Sequence, residues 1–287
     1  MASFPPLYCF AANVAGPDAT VRSLLIATGP HDFNPTPRDA QQLHRATVFF
    51  INGLGLDDLF AGRIRNNAGN PTLKLVALGE AIPPTQRIPL VGGHTHDHGH
   101  AHHHHHHGEH DPHVWLGIPE AIVMVERIGE ELAQIDPKHA DNYRRRAADY
   151  AERLRRLHAE GKRLLANKKE RQLVSFHDSL RYFARSFDLT ILDSIEPIAG
   201  QEPSPQQLAK LVEDCRRQQT RLIAVEPQYP TNTSAQSLLN ELRKKGIEDA
   251  AFVEVDPLET AVPAELSPEW YETKMRENLL NLARALR

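Results

Sequence analysis

The chain has 287 residues and a formal net charge of −4, with 40% hydrophobic and 24% charged residues, a size for two ordinary domains or one large one and the profile of a soluble globular protein. A pI near 6.5 gives no case for nucleic-acid binding, and no apolar run approaches the roughly 18 residues of a membrane span. The opening MASFPPLYCF has neither a basic start nor an apolar h-region, so the expectation is a cytosolic protein or one whose signal peptide has been removed.

In chain order, Leu7 to Val14 and Val21 to Ala27 read as apolar segments separated by a turn at Gly16-Pro17. Gly29-Pro30-His31-Asp32-Phe33 follows, and Thr36-Pro37 is an N-cap with proline at the first helical position, which predicts a helix from Pro37 to about Ala46. His31 therefore falls in a loop between a strand end and a helix start, where open α/β sheets gather ligands. Thr47 to Ile51 is a strand by its β-branched and aromatic content. It ends at the turn signal Asn52-Gly53, ahead of a short helix around Leu56 to Arg63. Leu73 to Leu78 is another strand, and Pro83-Pro84 begins a long connection.

That connection becomes Gly92 to Leu116, GGHTHDHGHAHHHHHHGEHDPHVWL, which holds twelve of the 17 histidines. Neutral imidazole is a good ligand for Zn, Cu and Ni, so so dense a run argues for transition-metal binding. An internal tract interleaved with Gly, Thr, Asp and Glu is not a purification tag. Most of it cannot bury a core and reads as a solvated loop. His113, at the point where polar residues give way to Val114-Trp115-Leu116, is the exception.

Pro119 to about Gln134 is a helix with Ile122, Val125, Ile128 and Leu132 on one face. Asp136-Pro137 repeats the cap signature, and Tyr143, Ala147, Tyr150, Leu154 and Leu157 then recur at helical spacing towards Asn167. About thirty helical residues span roughly 45 Å, which suggests a spine between two lobes; two helices broken near Gly161 are the alternative. Beyond it, strands at Gln172 to Phe176, Leu189 to Leu192, Leu222 to Val225 and Ala251 to Val255 alternate with helices at Ser179 to Phe187, after Ser204-Pro205, at Ser234 to Lys245 and after Ser267-Pro268. Such alternation implies parallel sheets covered by helices. The expected fold is α/β: an N-terminal lobe over 1–136 with a histidine-rich loop at 92–110, a linking helix over 137–168, and a C-terminal lobe over 169–287.

The two cysteines, Cys9 and Cys215, form neither a disulfide framework nor a CxxC knuckle. Cys215 shares a helical face with Leu208, Leu211 and Val212, the pattern of a buried structural thiol; a bridge to Cys9 stays open.

His177, Glu226 and Asp256 each follow a β-rich run, and in a parallel sheet such positions converge on one edge. His31, His113, His177 and one carboxylate make a tetrahedral N3O shell of the kind zinc adopts, placing a metal between the lobes. A hard cation such as Mg or Mn favours more oxygen ligands. A shell filled by protein binds without activating a water, and HExxH, GxSxG and a phosphate-binding glycine loop are all missing. The expected chemistry is capture and release, not catalysis.

PHDFNPTPRD at Pro30 to Asp39, NGLGLDDLF at Asn52 to Phe60, DPHVWL at Asp111 to Leu116, SFHDSLRYFARSFDL at Ser175 to Leu189, EPQYP at Glu226 to Pro230 and VDPL at Val255 to Leu258 carry a resemblance. On these stretches the chain resembles the solute-binding proteins of zinc and manganese ABC transporters, the ZnuA/TroA-like family. The resemblance implies two α/β lobes joined by a rigid backbone helix, one metal in the interlobe cleft, and His31, His113, His177 and Asp256 as its ligands. Manganese members tend to have a carboxylate where this chain has His177, so the match is closer to the zinc branch. Glu226 competes with Asp256 for the fourth position, and Asp256 is preferred, with Glu226 orienting its neighbours.

The implied function is a monomeric periplasmic protein that captures Zn2+ with high affinity and delivers it to a membrane permease and its ATPase, with Mn2+ a lesser ligand. A zinc buffer or chaperone without a transporter, and a zinc hydrolase, are the alternatives from other classes. The tract is expected to gather zinc weakly for the main site or to sense its excess, losing affinity as pH falls towards about 5.5 because histidine titrates near pH 6.5.

Overall fold

A computed structural model describes residues 1–31, 33–90, 109–197, 200–228 and 233–287, so the histidine-rich loop expected at 92–110 lies, except for Glu109 and His110, outside the described residues. The chain folds as two compact units. The first comprises Met1–Trp115, Glu120–Glu152 and Glu259–Pro268, and the second Leu116–Pro119, Arg153–Leu258 and Glu269–Arg287.

In the first unit the apolar Leu7 to Val14 segment lies in helix α1 (Pro5–Ala15), which starts on two prolines and buries Leu7, Cys9, Phe10, Ala11 and Val14. Proline suits a first helical turn because the N–H it lacks has no intrahelical partner there. Helix α2 (Pro37–Gln42) starts from a capping box in which Thr36 and Asp39 satisfy each other's backbone N–H groups. It is shorter than its sequence pattern suggests. The Asn70 side chain donates to the Leu43 and Ala46 carbonyls, at 3.1 and 2.8 Å, where further helical bonds would otherwise form.

Strands β1 (Val48–Ile51) and β2 (Lys74–Ala77) pair in parallel, in register from Val48 with Lys74 to Ile51 with Ala77. Ala2 bridges in parallel to both Phe50 and Ser23. All four residues of β1 are buried, which explains the unbroken apolar run VFFI. Helix α3 (Asp58–Asn67) connects the two strands and packs against α2. After β2, the chain at 88–90 meets 109–111 in antiparallel fashion: Pro89 bridges to His110, the Leu90 N–H donates to the Glu109 carbonyl at 3.2 Å, and the Asp111 N–H donates to the Ile88 carbonyl at 2.8 Å.

Helix α4 (Ile118–Ile135) buries Ala121, Met124, Val125, Ile128 and Leu132. Helix α5 (Ala140–Leu165) runs unbroken for 26 residues, with Tyr143, Ala147, Tyr150, Leu154 and Leu157 buried along one stripe. At 1.5 Å per residue it is about 39 Å long. The boundary between the two units falls inside it, between Glu152 and Arg153. Gly161 lies within the helix and does not end it. A Cβ there would run into the Phe187 ring and come within 2.8 Å of Leu279, so the glycine answers a packing need.

The second unit contains a parallel sheet of β3 (Gln172–His177), β4 (Thr190–Glu196), β5 (Leu222–Val225) and β6 (Ala251–Glu254) in the order β4-β3-β5-β6. Its helices are α6 (Arg181–Ser186), α7 (Pro205–Gln218), α8 (Thr233–Lys244) and α9 (Trp270–Ala285). Val174, Phe176 and Ile223 of the sheet share a core with Leu211, Val212 and Cys215 of α7 and Leu238, Leu239 and Leu242 of α8. Cys9 and Cys215 are both buried and are not bridged to each other, and burial pushes the Cys215 thiol up to about 12. Among the described residues no helix is long and apolar enough to cross a membrane.

Candidate metal centre

The sheet order of the second unit places β4 and β5 on opposite sides of β3, so the winding reverses between β3 and β5, the point at which open α/β sheets form a crevice. His177 is the last residue of β3 and Glu226 directly follows β5. Since Ser175 is in register with Ala224, two residues further on the imidazole and the carboxylate stand opposite each other. Nδ1 of His177 is hydrogen-bonded to Oε1 of Glu226, and both residues are buried. Gln228 holds the other carboxylate oxygen by donating to Oε2 at 2.9 Å.

The first unit gathers three donors from distant parts of the sequence. Nε2 of His31 lies 3.2 Å from Nε2 of His113, and Oε1 of Glu259 lies 3.3 Å from the former and 3.7 Å from the latter. Bonds of about 2.0–2.1 Å to a tetrahedral zinc ion would separate neighbouring ligand atoms by about 3.3–3.4 Å. The three atoms are thus spaced as one face of such a shell. His113 and Glu259 are buried, while His31 is partly exposed.

Each donor is held locally. The Ala261 N–H donates to the Ile26 carbonyl at 2.7 Å, pinning the segment that carries Glu259 beside the stretch leading to His31. Gly29 leaves room for this approach, since a Cβ there would lie 3.3 Å from the Glu259 carboxylate. His113 packs on Trp115 at 5.2 Å between ring centroids, and Trp115 is itself braced edge-on by Phe4 at 4.8 Å. Behind the turn, Asn52 Nδ2 donates to the Pro112 carbonyl at 2.9 Å. Asp57 fixes that asparagine's loop by accepting from the N–H groups of Asn52 and Gly53, each at 2.8 Å, and from the Ser3 hydroxyl at 2.7 Å. Burial pushes the Asp57 carboxyl up to about 6, although these three bonds pull it down.

Two of the histidines expected as ligands, His31 and His113, are thus brought together, and His177 ends β3 in the second unit. The carboxylate gathered with His31 and His113 is Glu259; Asp256 is outside this group among the described residues. Asp256 instead organises the exit of β6. Its Oδ1 accepts the Leu258 N–H at 2.7 Å, while its backbone N–H and carbonyl pair with the Asn278 side chain at 2.8 and 2.7 Å. Burial pushes its carboxyl up to about 6. The strand-end rule offers Glu226 and Asp256 alike, and the resemblance carries the choice to Asp256. The strand-end rule does not reach Glu259, because that residue lies beyond β6 in the first unit. Asn52, visible in sequence only as a turn former, and Asp57 behind it are the other supports that the pattern does not announce.

The family model described as ZnuA, zinc-uptake complex component A, periplasmic, matches residues 1–285. The zinc-binding protein AdcA of Streptococcus pyogenes is 29% identical over 293 residues, covering 98% of this chain and 54% of AdcA. The chain therefore spans about half the length of the curated relatives it matches. Among solved structures, the solute-binding protein FpvC of Pseudomonas aeruginosa in complex with Mn2+ superposes with a TM-score of 0.80 at 26% identity, covering 99% of this chain and 97% of that one. A ZnuA deletion mutant with zinc bound gives a TM-score of 0.78 at 25% identity, covering 99% and 96%.

Proposed function

The chain belongs to the ZnuA family of zinc-uptake components, and from that premise we propose that it is a zinc solute-binding protein that captures Zn2+ and hands it to the membrane permease of an ABC transporter. The ligand set of this reading is His31, His113, His177 and Glu259. The observation that carries it is the spacing of 3.2, 3.3 and 3.7 Å among Nε2 of His31, Nε2 of His113 and Oε1 of Glu259. Three imidazoles and one carboxylate suit zinc better than a hard, oxygen-seeking cation. The pairing of His177 Nδ1 with Glu226 supports binding through Nε2, since metal-bound imidazoles commonly hold a carboxylate with the other ring nitrogen. A shell filled by four protein ligands keeps no position for a reactive water. Its chemistry is therefore retention and release in the periplasm, not hydrolysis.

Calorimetric zinc titration in the presence of a competing chelator tests the assignment, because only a tight site survives the competition. The full chain should show one tight site, His113→Ala and His177→Ala should each abolish it, and Glu259→Ala should weaken it at least about tenfold, a loss of about 1.4 kcal/mol. Asp256→Ala should leave it within a few-fold of the parent. Tight binding that survives His113→Ala, or that disappears with Asp256→Ala in a folded protein, contradicts the ligand set.

A further inference from the structure

We propose that Asp111 is a positioning residue that sets the tautomer of His113, holding the proton on Nδ1 and presenting the Nε2 lone pair. The inference rests on the reading of His113 as a zinc ligand for its functional consequence, but not for its geometry.

Asp111 is fully buried and reaches His113 twice with one oxygen: Oδ1 accepts the His113 backbone N–H at 2.9 Å and pairs with the ring Nδ1 at 2.7 Å. The first bond closes an Asx turn over Pro112. An oxygen already accepting from one N–H, on a side chain that as a carboxylate has only acceptors to offer, calls for a proton on Nδ1 as well. Nε2 then carries the lone pair, on the edge of the ring facing His31 Nε2 and Glu259 Oε1. An unrestrained histidine favours the opposite tautomer, with the proton on Nε2, so the assignment is not the default state of the side chain.

The turn itself has little freedom. The Asp111 N–H is tied to the Ile88 carbonyl and the Pro112 carbonyl to Asn52, and the ring is backed by Trp115. The same device recurs independently in the second unit, where Glu226 meets both the backbone N–H and Nδ1 of His177. A ring that already presents its lone pair binds zinc without first losing a proton from Nε2 and turning. Loss of such an outer carboxylate typically weakens metal affinity about 10- to 100-fold.

Long-range 1H–15N correlation spectra of the histidine rings in the apo protein test this directly, with the His113 signals identified by their disappearance in His113→Gln. The expected spectrum has a protonated Nδ1 and an unprotonated Nε2 for His113. In Asp111→Ala the ring should shift to the Nε2-protonated form or to a mixture, and the zinc dissociation constant should rise about 10- to 100-fold. A wild-type His113 protonated on Nε2 overturns the proposal, and does so whether or not the Ala variant folds. So does an Ala variant with unchanged tautomer and affinity. If the tautomer is as proposed while His113→Gln binds zinc like the parent, the positioning role stands and the ligand reading fails.

Discussion

Asp57 is the residue on which the first unit's cluster of His31, His113 and Glu259 leans, although it touches none of these three. It orders the Asn52–Gly53 loop, and Asn52 in turn holds the Pro112 carbonyl next to His113. Its burial has a price in stability that depends on pH. The folded carboxyl, at about 6, holds its proton more tightly than the ordinary 3.8 of the unfolded chain. Between these values the folded state binds more protons, so this group's contribution to stability falls as pH rises from about 4 to 6 and stays constant above. A shift of about two units corresponds to at most about 3 kcal/mol. Denaturant unfolding of the apo protein should therefore show a shallower loss between pH 4 and 6.5 in Asp57→Asn than in the parent, even though the amide costs stability throughout by facing a backbone N–H. Equal slopes would show that the buried carboxyl does not titrate in that window. At this scale part of the candidate cluster can be read from local pattern. His31 after a segment end, and His113 where DPH meets VWL, are marked by the residues beside them. Glu259 is not, because its proximity to His31 depends on the pairing of Ala261 with Ile26, which no local spacing encodes.

Among the elements, the short antiparallel contact between 88–90 and 109–111 separates the histidine tract from His113. Bonds on either side of Pro89 and His110 anchor the chain immediately before the Asp111 turn. Replacing 91–108 by Asn-Gly, which suits a two-residue hairpin loop, should leave the tight zinc site within about threefold of the parent, a change of about 0.7 kcal/mol or less. A loss beyond about tenfold would make the tract part of the tight site. Helices and strands with strong caps or β-branched runs were legible, as the Ser204 capping box of α7 and the VFFI strand show. Two ambiguities were settled only by packing. The sequence favours one continuous helix and leaves a break near Gly161 as the alternative, and Gly161 is a contact glycine under Phe187 and Leu279; the α2 pattern extends beyond Gln42 until Asn70 takes its last carbonyls.

For the whole molecule, the alternation of strands and helices was sufficient to indicate α/β architecture, and the parallel pairing of both sheets follows from it. Linear boundaries are less informative, because the first unit recruits Glu259–Pro268 from late in the chain and α5 is divided between the units at Glu152 and Arg153. A sequence read in order assigns residues after 169 to the second lobe, and so looks for a candidate carboxylate at a strand end of that lobe. The proposed function requires one zinc ion held by His31, His113, His177 and Glu259. An anomalous difference map at the zinc edge, from crystals of the zinc-loaded chain, tests it most directly. One peak is expected, about 2.0–2.2 Å from Nε2 of each of the three histidines and from a Glu259 carboxylate oxygen. A peak bound by Asp256 in place of Glu259, or one that lacks any of the three imidazoles, would contradict it.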